Sequence, residues 1–98
     1  MLGYIMKKYI VRIFGLSKEI TNQREIEVEL RKDAGMREVI VELRKKVPAL
    51  EGTAFRMGED RLTKTYKFNL NGTFYFDGMD FNLNEGDTLA LLPPISGG

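Results

Sequence analysis

Only one stretch of this chain carries a helical period, and it cannot form a fold by itself. Met36, Val39, Ile40, Leu43 and Val47 stand at i, i+3, i+4, i+7 and i+11, one stripe of a helix. Asp33 offers a side-chain acceptor to the first free N–H groups and Pro48 halts the segment, so a helix is expected from an N-cap at Asp33 to about Val47. The other patterned stretches read as strands. One helix with one apolar stripe needs a sheet to lie on, which makes the fold class α+β: a mixed sheet of four to five strands with one main helix on one face.

The strands differ in how they are patterned. Over residues 8–16, Tyr9, Val11 and Ile13 alternate with Ile10, Arg12 and Phe14, and both sets are mainly apolar, as in a central strand covered on both faces. Residues 25–31 alternate strictly, with Ile26, Val28 and Leu30 inward and Glu25, Glu27 and Glu29 outward, the pattern of a strand nearer an edge. Asn71-Gly72 between residues 66–70 and 73–76 is a strong hairpin signal, because a type I′ turn needs positive φ at both central positions. Further turns are expected at Asp77-Gly78 and across Asn84, Glu85, Gly86 and Asp87, before a last apolar strand from Thr88 to Leu92. The first and last strands are the most apolar, so they should lie side by side at the centre, in parallel, with the helix in the crossover.

Residues 49–65 show no period and form a long excursion, tacked to the core by Phe55, Met57 and Leu62. Arg44, Lys45 and Lys46 at the end of the helix resemble a phosphate patch. Cations there are already accounted for by the helix dipole, with Glu42 and Lys46 at favourable spacing for an ion pair. The six aromatics between residues 66 and 81 read as core and not as a base-stacking platform, since no Lys or Arg lies between Thr73 and Gly98.

Composition narrows the chemistry. With 98 residues the chain is expected to be one domain, spanning 1–98, with 1–6 a flexible extension, 7–92 the folded body and 93–98 a projecting tail. Fifteen Lys plus Arg against 14 Asp plus Glu leave a formal charge of +1, which gives no general pull toward nucleic acid or membrane. There is no cysteine, so sulfur chemistry would have to come from a partner; there is no histidine either, which removes the commonest general base and metal ligand. No metal site and no catalytic group of its own are expected. No apolar run approaches a membrane span and the N-terminus is not built like a secretory signal, so a cytoplasmic protein is expected and Asn71-Gly72-Thr73 reads as a turn and not as a glycosylation site.

The last six residues, Pro93, Pro94, Ile95, Ser96, Gly97 and Gly98, break the pattern abruptly. Two prolines after a buried strand force the chain out of the sheet in an extended form, and six extended residues reach about 20 Å. Gly97 and Gly98 lack Cβ atoms, so a partner's cleft can close directly on the backbone. The carboxylate of Gly98 is then the group most open to chemistry, once activated as a mixed anhydride. The bland reading is a frayed terminus without a role.

Asn71-Gly72, Glu85-Gly86-Asp87 and the ending Leu91-Leu92-Pro93-Pro94-Ile95-Ser96-Gly97-Gly98 resemble the ubiquitin-like sulfur-carrier family, nearest to the molybdopterin synthase small subunit and the archaeal small modifier proteins. The resemblance implies a β-grasp fold with a flexible Gly-Gly tail. It also implies an E1-like enzyme that uses ATP to adenylate the Gly98 carboxylate, and a persulfide sulfur donor that converts it to a thiocarboxylate. That group would serve molybdopterin synthesis, with the synthase large subunit as partner, or tRNA thiolation; alternatively the activated end is joined to a lysine of a target protein. No cofactor is implied as permanently bound, and no direct contact with nucleic acid or membrane. The long excursion at 49–65 argues against the thiazole-synthesis branch. Family partners grip the sheet near the tail, and Phe68, Leu70, Leu89 and Leu91 form the pool from which such a patch is expected. The competing expectation is a non-covalent β-grasp binding module that makes no use of its C-terminus.

Overall fold

The computed structural model describes residues 5–14 and 24–94. It contains β1 (Met6–Ile13), β2 (Glu25–Arg31), α1 (Met36–Lys46), a 3-10 turn (Pro48–Leu50), β3 (Lys67–Leu70), β4 (Thr73–Tyr75) and β5 (Leu89–Leu92). The strands form one mixed sheet in the order β2-β1-β5-β3-β4. As expected, β5 lies at the centre and runs parallel to β1, with Val11 opposite Leu89 and Ile13 opposite Leu91. The other pairings are antiparallel. The Asn71-Gly72 hairpin forms as read: Leu70 faces Thr73, and φ is 52° at Asn71 and 92° at Gly72. This is the β-grasp arrangement.

Helix α1 starts later than expected, because Asp33 is not its cap. Asp33 takes a left-handed φ of 63°, and the segment is tied to the far side of the molecule by Asp33 N–H to Leu83 O (3.1 Å) and Leu83 N–H to Ala34 O (2.9 Å). The N-cap is Gly35. Two carboxylates satisfy the helix start: Glu38 accepts from the Gly35 N–H at 3.2 Å, and Asp80 accepts from the Met36 N–H at 2.8 Å. A Cβ at residue 35 would meet the Asp80 carboxylate at 2.9 Å, so glycine lets that carboxylate approach. At the other end Glu42 pairs with Lys45 (3.0 Å) and not with Lys46.

The apolar stripe of α1 packs as predicted: Met36, Val39, Ile40, Leu43 and Val47 are all buried. They lie against the inner face of the sheet, where Val11, Ile13, Val28, Phe68 and Leu91 belong to the same core. Two expectations fail here. The nominated patch residues Phe68, Leu70, Leu89 and Leu91 are all buried, at most 7% exposed, because the alternation of β3 and β5 turns them toward the helix. And β1 is covered on one face only: Tyr9, Val11 and Ile13 are buried while Ile10 and Phe14 are each 45% exposed. An 11-residue helix is about 16 Å long and covers one face of the sheet, and among the described residues no second helix lies over the other face of β1.

The excursion is anchored as expected by Phe55 and Leu62, both fully buried and paired in a short bridge, together with Leu50 and Ala54. Met57 does not take part; it is 73% exposed at the tip. Two arginine–carboxylate–arginine groups hold this segment to its neighbours. Asp60 sits between Arg37 (3.2 Å) and Arg44 of the helix. Asp77 accepts from Arg56 (2.8 Å) and from Arg61 (2.8 and 3.1 Å). Arg44 is thus engaged within the fold, in line with the bland reading of the basic cluster.

Candidate functional site: the C-terminal exit and the outer face of the sheet

Strand β5 occupies the middle of the sheet and ends at Leu92, paired with Lys67 of β3. Pro93 and Pro94 come next, partly buried and exposed respectively. Neither has an N–H, so the ladder cannot continue through them. The expected tail residues Ile95, Ser96, Gly97 and Gly98 lie outside the described residues. At the exit the Lys67 ammonium donates a hydrogen bond of 3.4 Å to the Pro93 carbonyl and stands 5.7 Å from the centroid of the Phe74 ring.

The register puts a second set of residues on the outer face, away from the helix. Arg12 is opposite Ala90, Ala90 opposite Asn69, and Asn69 opposite Phe74, which makes one row across four strands. Beside it lie Leu92 and Lys67, with Phe14 alongside, its N–H bonded to Leu91 O at 3.2 Å. Ile10, Phe14 and Phe74 are each nearly half exposed, and Leu92 is partly so. Just beyond β4, Phe76 is 47% exposed, in a turn closed by Met79 N–H to Phe76 O at 3.0 Å. On β2 the surface turns ionic, with Glu25 near Arg12 (3.5 Å) and Glu27 near Lys8 (3.8 Å). The chain therefore leaves the sheet beside exposed apolar side chains, Phe14, Leu92 and Phe74, with Lys67 among them and Arg12 and then Ile10 further along β1. Such a surface suits the core of a protein contact, with the charges at its rim.

Sequence reasoning missed Ile10, Phe14, Phe74 and Leu92. A usable signal was present: only one stretch carries a helical period, so a strand apolar on both sides has one helix to share between two faces.

The arrangement has known counterparts. A family model described as the ThiS family matches residues 11–98. The chain belongs to the ThiS family. This is the family of ubiquitin-like sulfur carriers and modifiers, and residues 11–98 of the present member include the sheet centre, the helix and the exit. Over 88 residues the chain is 27% identical to small archaeal modifier protein 3 of Haloferax volcanii, covering 90% of this chain and 96% of the relative. Among solved structures it is similar to SAMP1 from Haloferax volcanii, with a TM-score of 0.78 and 28% identity, covering 94% of this chain and 100% of that one. It shares its fold with a putative molybdopterin converting factor, subunit 1, from Pyrococcus furiosus, with a TM-score of 0.68 and 21% identity, covering 90% of this chain and 98% of that one. Among the described residues no helix is long and apolar enough to cross a membrane.

Proposed function

We propose that this ThiS-family chain is a sulfur carrier or protein modifier whose Gly98 carboxylate is activated by an E1-like enzyme in the cytoplasm. The carboxylate attacks the α-phosphate of ATP, pyrophosphate leaves, and an acyl adenylate forms. The terminal sulfur of a partner's persulfide then displaces AMP, and a thiolate cleaves the resulting acyl disulfide to free a C-terminal thiocarboxylate. The same adenylate can pass instead to a lysine amine of a target protein. ATP is thus a substrate of the partner, and the chain contributes no catalytic group.

The observation that carries this reading is the place of the exit: the central strand ends in Pro93-Pro94 beside an apolar face. A partner can hold that face while Gly97 and Gly98 enter its nucleotide cleft. The contact surface we assign is Ile10, Phe14, Phe74 and Leu92, in place of the four buried residues. Likeness to small archaeal modifiers and to a molybdopterin converting factor subunit supports both outlets of the activated terminus, sulfur transfer and conjugation.

The test is incubation with an E1-like enzyme, ATP and a sulfur donor. Mass spectrometry should show the acyl adenylate and then replacement of one oxygen by sulfur, both lost when Gly98 is removed. If an enzyme active on its own carrier gives neither product, the proposal fails. Partner binding that survives loss of Gly97 and Gly98, without any activation, would instead identify a non-covalent binding module.

A further inference from the structure

The base of the tail has a particular need, and one side chain meets it. Pro93 and Pro94 offer no N–H, so a hydrogen bond that holds this point must be accepted by a carbonyl. Lys67 does so. It is the residue directly opposite Leu92 in the β3–β5 ladder, its side chain is on the outer face, and its ammonium donates to the Pro93 carbonyl at 3.4 Å. The same ammonium is 5.7 Å from the centroid of the exposed Phe74 ring, which gives the cation a second favourable partner and draws it toward β4. Two consecutive prolines are stiff, so holding the Pro93 carbonyl restrains Pro94 and with it the direction in which the chain leaves the sheet.

We propose that Lys67 is a positioning residue for the C-terminus: by holding the Pro93 carbonyl against the outer face, it aims the tail for delivery to the activating enzyme. This rests on the function proposed above. The contact is made within the free chain and does not require a partner. An ordered exit reduces the conformational entropy lost when the tail enters a cleft, which strengthens productive binding without touching the reacting atoms.

The test uses the full chain and two variants, Lys67→Met, which keeps the apolar stem, and Lys67→Arg, which keeps a donor and a charge. In the free protein, 15N relaxation of Ile95, Ser96, Gly97 and Gly98 should show faster motion in Lys67→Met than in wild type, with recovery in Lys67→Arg. In ATP–pyrophosphate exchange with an E1-like enzyme, Lys67→Met should raise KM for the carrier by about threefold to tenfold at unchanged kcat, the scale of one ordinary hydrogen bond, as suits a long and partly exposed contact. A chain lacking residues 95–98 should bind that enzyme equally well with Lys or Met at position 67. Equal relaxation in all three proteins overturns the proposal whatever the enzyme does. A Met variant that weakens the truncated chain as much as the full one shows a direct docking contact and also overturns it. Failure of wild type itself to be activated refutes the functional reading instead, and leaves the relaxation arm standing.

Discussion

Asp80 illustrates how one side chain can link distant parts of a small fold. Its carboxylate accepts from the Met36 N–H at the start of α1 and from its own neighbour Phe81 N–H, both at 2.8 Å, and Gly35 leaves it room. A cap supplied 44 positions away in sequence joins the helix to the segment that precedes β5. Asp80→Ala should therefore cost about 1 kcal/mol, the usual worth of a helix cap, seen as a lower denaturation midpoint with an unchanged m-value. Asp33→Ala, at the position that the helix pattern nominated, removes no cap. A loss of the hydrogen-bonded helix start on that substitution, and none on Asp80→Ala, would reverse the assignment.

At the level of elements, the excursion between α1 and β3 is held both by burial and by charge. Phe55 and Leu62 anchor it in the core, while Asp60 and Asp77 each lie between two arginines. Removal of the Asp60 carboxylate from water pushes its pKa up, but hydrogen bonds from Arg44 and Arg37 more than offset this and hold it below the ordinary 3.8. Asp77 is held below 3.8 chiefly by its hydrogen bond from Arg61, and Glu38 below 4.5 chiefly by Arg31. Carboxylates with depressed folded-state pKa values contribute stability that is present above their unfolded pKa and lost as pH falls through the folded one. Stability should thus be flat near neutrality and decline below about pH 4.5, the highest of these ordinary values. Asp60→Asn with Asp77→Asn should shallow that acid limb, measured by urea unfolding across pH. Salt should weaken it only in part, because Arg37 and Arg61 are exposed while the two carboxylates they meet are mostly covered. An unchanged slope in the double variant would show that other carboxylates set the acid limit.

On the scale of the whole molecule, the described residues form one α-helix on a five-stranded sheet, with one face covered by it and outer-face side chains exposed on the other. The outer face carries Phe14 and Phe74 toward the exit and Ile10 at the far end of β5, level with Thr88, so the same economy that gives the chain one core also gives it a surface for association. Ile10→Lys, which faces Glu27, and Phe74→Asp should each weaken binding of an E1-like enzyme by about tenfold or more, by placing a charge in an apolar contact, with melting temperature shifted by only a few degrees. Calorimetry and a binding titration check the two halves of this statement separately. Unaltered affinity in both variants would place the contact elsewhere.

Much of this was legible in the residues alone. The helix stripe, the Asn71-Gly72 hairpin, the strict alternation of β2 and the central parallel pairing of β1 with β5 come from local periodicity and turn chemistry, which depend on neighbours a few positions away. The buried and open sides of β1 and β5 did not, whereas Lys67 and Asn69 alternating with Phe68 and Leu70 already mark the inner side of β3. Alternation says that Ile10 opposes Val11 and that Ala90 opposes Leu91, but where both sets are apolar it does not say which set meets the helix. That choice depends on how strands far apart in sequence are brought into register and on which face the one helix covers. The cap from Asp80 and the grip of Lys67 on Pro93 belong to the same class: each joins residues distant in the chain, and only the folded packing brings them within hydrogen-bond reach.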